Sequence, residues 1–254
     1  MSIIYGVDKS KDYFAYPTLT PLMARGTKYE REKNYCEELY ENGIRRLAER
    51  KSVEAESCFR KAAVLGYAKA QMALGALFYG SENPSESARW FRMAADQDVP
   101  EAEYYYALCC EKGQGVSEDL IRAADYMKKS AVHGYVPALI SCGDYFYRGI
   151  GVPVDYETAF FFYHRAALMG APRAKWKLGS CYFRGEGVEK DEETAAYWFW
   201  QAANAGECEA QALVAMCFEF GYGVKKNIEE AEKWYRLGAI QGDEHCASRL
   251  RKWR

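Results

Sequence analysis

Apolar residues recur along this chain at helical spacing, and the spacing itself recurs. Ala174, Leu178 and Tyr182 stand four apart and define one face of a helix. Gly185, Gly187 and Val188 follow, then Asp191, then a second apolar-rich stretch that closes on Ala202, Ala203 and Gly206. The 36 residues from 138 to 173 superimpose on residues 174–209 without a gap. Gly149, Gly151 and Val152 meet Gly185, Gly187 and Val188; Asp155 meets Asp191, Ala166/Ala167 meet Ala202/Ala203, and Gly170 meets Gly206. Self-similarity at a fixed period of this size predicts a solenoid whose units bury their apolar faces only against their neighbours.

Each recurring residue has a predicted local task. The first glycine of the loop (113, 149, 185, 221) ends the first helix in a left-handed cap that needs no Cβ. The second (115, 151, 187, 223) supplies another positive φ, and the valine after it pins the loop to the core. Asp119, Asp155, Asp191 and Asn227 stand where the second helix starts and read as N-caps. The alanine pairs allow a close helix crossing, and Gly134, Gly170, Gly206 and Gly242 cap the second helix.

Four full units are expected, 102–137, 138–173, 174–209 and 210–245, preceded by two shorter ones, 38–69 and 70–101, that lack the Gly-x-Gly-Val loop. In the second short unit, Asn83 followed by Pro84 reads as an N-cap with proline at the first helical position. Residues 246–254 close the array as a capping helix, and the solenoid as a whole spans 34–254. Residues 1–33, with Pro17 and Pro21 and no periodicity, form an N-terminal extended or partly ordered segment. Its expected roles are a cover on the first repeat, an occupant of the groove, or a self-association arm.

Composition changes this picture little. With 254 residues and 49% apolar positions a core is available, and the net charge of -2 gives no global pull toward nucleic acid or anionic lipid. No apolar run reaches the roughly 18 to 20 residues of a membrane span. The start MSIIYGVDKSKDYF lacks the sections of a secretory signal, so a soluble, cytoplasmic protein is the expectation. Among the nine cysteines, Cys109, Cys181 and Cys217 occupy the same slot of their respective repeats, which sets them whole repeat spacings apart and argues for free thiols.

The pattern LG-x-x-Y-x-x-G-x-GV, followed by an acidic residue, an aromatic pair, AA and a final glycine, resembles the Sel1-like repeat, a relative of the tetratricopeptide repeat. The resemblance implies an all-α, right-handed α-solenoid of antiparallel helix pairs. It also implies protein binding. Proteins of this kind serve as adaptors in membrane-protein degradation, in signalling and in bacterial host interaction, and some are immunity proteins that neutralise a toxin. Secreted cysteine-rich members pair cysteines at matched slots that include the AA position, where this chain has none.

No catalytic constellation accompanies the repeat. H-E-x-x-H, C-x-x-C, G-x-S-x-G and the P-loop are absent, and no serine precedes a lysine by three residues. Hydrolase activity is therefore a minor alternative, to be favoured only by a deep pocket in which Cys, His and carboxylate groups converge. The three histidines, His133, His164 and His245, occupy different slots, so scattered residues rather than a metal site are expected. No cofactor and no metal are expected. Arg249, Arg251, Lys252 and Arg254 read as a solvated, dipole-complementing helix end rather than a nucleic-acid patch.

In the tetratricopeptide superhelix the first helix of each repeat lines a concave groove, and aligning the Leu-Gly dipeptides carries its inward slots over. One slot holds Tyr104, Ile140 and Trp176; another holds Glu111, Tyr147, Phe183 and Glu219. Lys112, Arg148 and Arg184 follow the second slot in three consecutive repeats, where the repeat pattern requires no cation. Cations beside aromatics grip carboxylates and supply desolvated anchors. The expected partner-binding groove is thus Tyr104, Lys112, Tyr147, Arg148, Trp176, Phe183 and Arg184, with Asp144 expected to stand beside the cations and satisfy part of them. The expected ligand is an acidic or aromatic segment of another protein.

Overall fold

The computed structural model describes residues 28–253, with side chains from Glu30 onward. Thirteen α-helices and no strand occur among them: α1 (Lys28–Ala48), α2 (Ser52–Val64), α3 (Ala68–Phe78), α4 (Pro84–Ala95), α5 (Pro100–Lys112), α6 (Leu120–Val132), α7 (Val136–Arg148), α8 (Tyr156–Leu168), α9 (Pro172–Arg184), α10 (Glu192–Asn204), α11 (Cys208–Phe220), α12 (Ile228–Ile240) and α13 (Glu244–Lys252). Residues 28–33, expected outside the repeats, are the start of α1. The groove-filling, covering and self-association roles expected of the N-terminal segment fall on residues 1–27, outside the described residues. No described helix is long and apolar enough to cross a membrane.

The chain divides into two compact units, one ending at Gln71 and one beginning at Met72. In the first, α1 packs on α2. The Phe59 ring occupies the space that a Cβ on Gly43 would need, and Tyr40 lies 5.7 Å from Phe59 and 5.8 Å from Tyr67. Gln71 is buried and its Nε2 donates to the Ala63 carbonyl at 3.1 Å.

The second unit is the α-solenoid proper, in which each helix from α4 to α13 packs on the one that follows. The first helices end as the sequence predicts: Gly113, Gly149, Gly185 and Gly221 are left-handed caps with φ of 64°, 76°, 73° and 82°. The N-caps are also in place. Side-chain oxygens of Asp119, Asp155, Asp191 and Asn227 accept from Arg122, Thr158, Thr194 and Glu230 backbone N–H groups at 2.9–3.1 Å. The same four residues donate their own N–H back to carbonyls of Cys110, Phe146, Tyr182 and Phe218 at 2.8–2.9 Å, which closes the loop on the first helix.

The second loop glycine does more than turn the chain. A Cβ on Gly115, Gly151, Gly187 or Gly223 would collide with the carbonyl of Pro84, Leu120, Tyr156 or Glu192, in each case the first residue of the preceding second helix. Absence of a side chain is therefore what lets one repeat seat its loop on the helix start of the repeat before it. A comparable economy operates inside a repeat: Gly75, Gly143 and Gly179 leave room for the rings of Phe91, Tyr163 and Phe199. Around them Ala123, Ala159, Ala166, Ala195 and Ala202 are fully buried, as the close crossing requires. Each fully buried Leu, such as Leu139 or Leu178, contributes about 1.5–3 kcal/mol.

Candidate functional site

The three cations of the expected groove are each the last helical residue before a left-handed glycine: Lys112 ends α5, Arg148 ends α7 and Arg184 ends α9. That position favours a positive charge through the exposed carbonyls of the helix end. Lys112 and Arg148 are exposed, and among the described residues neither has an ion-pair partner. Arg184 differs. Its Nη1 donates to the Tyr147 hydroxyl at 2.7 Å and lies 3.7 Å from Glu186 Oε2, while the Tyr147 hydroxyl donates to the same Glu186 oxygen at 2.9 Å. Burial and the Glu186 carboxylate push the Tyr147 phenol up. The structure thus joins Tyr147 and Arg184 across two repeats and adds Glu186, which the sequence reading missed. Its signal was available: the residue between the two loop glycines is Gln114, Ile150, Glu186 and Tyr222, and only Glu186 is charged.

The aromatic members are half-buried. Tyr104 makes an edge contact with Tyr105 and a tilted one with Tyr135, both at 5.3 Å. Phe183 stands edge-on to Tyr222 at 5.3 Å, with the Lys190 ammonium 5.7 Å over its ring. Trp176 carries the Lys177 ammonium 4.8 Å over its ring.

Asp144 does not serve the arginines as expected. It is bound by Lys177 at 2.7 Å and by the Tyr163 hydroxyl at 2.6 Å, with side chains of Asp144 and Lys177 only 22% and 11% exposed. The reason is reach: Lys177 lies on α9 opposite Asp144 on α7, and the buried Tyr163 comes up beneath from α8. The two acids of the second slot, Glu111 and Glu219, are also used internally. Glu111 accepts from the Tyr145 hydroxyl at 2.8 Å. Glu219 accepts from Tyr235 at 2.8 Å and is bound by Arg249, so one member of the C-terminal basic cluster is a structural partner of a buried acid.

Burial makes several of the thiols poor nucleophiles. All nine cysteines are free, and burial pushes the thiols of Cys109 to about 11 and of Cys142, Cys181, Cys217 and Cys246 to about 12. A thiol that high carries almost no thiolate near neutrality. Surface clefts lie between neighbouring elements. One of about 400 Å³ is lined by Ile228, Glu232, Arg236, Leu250 and Trp253, one of about 600 Å³ includes Lys190, Asp191, Gly223 and Lys225, and one of about 230 Å³ includes Glu193, Trp200 and Cys217. None of these three brings a histidine to a thiol and a carboxylate. Of the histidines, His164 stacks on Phe160 at 5.9 Å and His245 tilts against Tyr235 at 6.5 Å, whereas His133 contacts Glu103 through Nδ1 at 2.8 Å.

The repeated geometry has relatives. The family model described as Sel1 repeat matches residues 34–67, 68–99, 100–135, 136–170, 172–207 and 208–243. Comparison with curated protein sequences finds no match. Among solved structures, a protective antigen present in uropathogenic Escherichia coli strains and displaying an SLR fold is 26% identical with a TM-score of 0.81. That similarity covers 89% of this chain and 51% of the antigen, so the chain spans about half the antigen's length. A Sel1 repeat protein from Oxalobacter formigenes is 28% identical with a TM-score of 0.76, covering 82% of this chain and 84% of that one. Six matched segments, each coinciding with a helix pair and the turn that closes it, account for nearly the whole of residues 34–243, and the chain belongs to the Sel1 repeat family.

Proposed function

We propose that this chain is a non-catalytic scaffold, an adaptor that holds an acidic or aromatic segment of a partner protein against the face formed by α5, α7 and α9. Sel1 repeats generally mediate protein–protein interaction, and that is the setting for the reading. The observation that carries it is the run Lys112, Arg148 and Arg184. It places exposed positive charge at one position of three successive repeats, with two of the three charges unpaired among the described residues. Half-buried Tyr104, Tyr147, Trp176 and Phe183 supply apolar area on the same three helices. Aromatic anchors provide most of the energy in such contacts, and the cations select for carboxylates. Arg184 is the weakest of the three cations as a ligand group, because binding a carboxylate requires it to leave Tyr147 and Glu186.

The test is peptide-display selection on the immobilised full chain, followed by anisotropy titration of recovered peptides. Acidic-aromatic peptides are expected, with affinity that falls as salt is raised. Lys112→Glu/Arg148→Glu is expected to weaken them by about 10-fold or more, since two attractions become repulsions. Recovery of basic or uncharged peptides, or equal binding by the double variant, overturns the reading.

A further inference from the structure

The turn before α5 and the end of α6 bring together three groups that no other repeat combines. The carboxylates of Asp98 and Glu103 and the imidazole of His133 place one ligand atom each within 4.8 Å of one another. Asp98 and His133 reach solvent, while the Glu103 side chain is 0% exposed. His133 Nδ1 is 2.8 Å from Glu103 Oε2. Glu103 Oε1 is buried and has no hydrogen-bond partner among the described residues.

An ordinary ion pair accounts for half of this. It serves Oε2 and leaves a carboxylate oxygen bare in the interior, which is a costly arrangement. Gln211 fills the same slot of a later repeat and also leaves Oε1 unpartnered, but a neutral amide is far cheaper to bury than a carboxylate. Burial raises the Glu103 carboxyl above its usual range even though His133 and Lys129 pull it down. Nor does the ion pair account for Asp98. The turn at this place holds Gly66, Gly134, Gly170, Gly206 and Gly242 elsewhere, all at positive φ, and Asp98 adopts φ 58° in their stead. Aspartate enters that region more readily than most side chains, but glycine enters it without cost.

We propose that Asp98, Glu103 and His133 bind one divalent transition-metal ion of the zinc class. An imidazole nitrogen with two carboxylate oxygens selects such ions over magnesium or calcium. Three protein ligands leave a further position for water. Tetrahedral bonds of about 2.0–2.2 Å set ligand atoms roughly 3.3–3.6 Å apart, so the contact of 2.8 Å between His133 Nδ1 and Glu103 Oε2 opens slightly while an atom at the 4.8 Å limit closes by about 1.4 Å, a movement open to the exposed Asp98 side chain. Binding replaces the contact between His133 and Glu103 Oε2 with bonds to the ion, and coordination through both Glu103 oxygens gives Oε1 the partner that it lacks. The ion ties the turn after α4 and the first turn of α5 to the C-cap of α6, and so acts as a staple between neighbouring repeats.

The experiment uses the full chain, stripped with EDTA, in equilibrium dialysis with Zn²⁺ and in absorption titration with Co²⁺. Asp98→Gly and His133→Gln are the test variants, because glycine and glutamine occupy those slots in other repeats (Gly242, Gln241) and the fold accepts them. One ion per wild-type chain is expected, with a rise in Tm on Zn²⁺ addition and a Co²⁺ spectrum free of thiolate charge-transfer bands. Each variant is expected to bind at least about 10-fold more weakly and to lose the Tm rise. Failure of wild type to bind overturns the proposal, as does a thiolate signature in the Co²⁺ spectrum or unchanged binding by both variants.

Discussion

Gly187→Ala compared with Gly170→Ala isolates the contact that joins one repeat to the next. Both glycines have left-handed backbones, with φ of +74° and +88°, so both variants carry the strain of an L-residue there, about 1–2 kcal/mol. They differ in surroundings. A Cβ on Gly170 meets nothing within 4 Å, whereas one on Gly187 falls on the Tyr156 carbonyl and stands 2.9 Å from the Glu157 nitrogen. Backbone at the start of a capped helix cannot move aside cheaply, so the second variant adds an overpacking cost of about 1–3 kcal/mol. The expected losses are about 1–2 kcal/mol for Gly170→Ala and about 2–5 kcal/mol for Gly187→Ala. At about 2–4 °C per kcal/mol for a chain of this size, thermal unfolding followed by far-ultraviolet circular dichroism separates them readily. Because repeat arrays can melt in parts, amide exchange in α8 and α9 serves as the local readout. Equal losses in the two variants refute the argument, since backbone strain alone would then explain both.

Two further outcomes follow from the buried charges. Lys177→Met leaves the Asp144 charge without its cation and is expected to destabilise by up to about 3 kcal/mol, while adding Asp144→Asn, which removes the charge and still accepts from the Tyr163 hydroxyl, restores most of the loss; a urea-denaturation cycle without that coupling rejects the pair. Burial pushes the Glu219 carboxyl up, but hydrogen bonds from Arg249 and Tyr235 outweigh it and hold the carboxyl below its ordinary value. A folded value below the unfolded one gives stability that is present above the unfolded value and is lost as pH falls through the folded one. Stability measured across the acid range below about pH 4.5 is therefore expected to fall less steeply in Glu219→Gln than in wild type, and parallel curves would contradict this.

Much of the architecture was legible before any coordinates. The helix ends at Gly113, Gly149, Gly185 and Gly221, and the N-caps Asp119, Asp155, Asp191 and Asn227, stand where the sequence puts them. Those features are decided by φ preference and by hydrogen bonds that reach two or three residues along the chain, so a linear reading contains them. The period added the stacking, because a unit that cannot bury its own apolar face must repeat beside another. The cations at the first-helix ends were also legible, as a charge that recurs where the repeat pattern requires none and where the helix dipole favours one.

The fate of the polar side chains was not. Asp144 was expected beside Arg148 and Arg184 and belongs to Lys177; Glu186 was overlooked and receives Tyr147 and Arg184; His133 was expected to stand apart and meets Glu103 and Asp98. Tyr145 with Glu111, Arg184 with Tyr147, Tyr147 with Glu186, and Arg249 with Glu219 are separated by 34, 37, 39 and 30 residues. Partners that far apart have no fixed relation in an isolated helix pair. They become neighbours only when one hairpin seats on the next, where a shift of one residue would exchange one acid's cation for another. Local chemistry wrote the helices and their ends, and the stacking of repeats chose which charges are spent inside and which stay exposed.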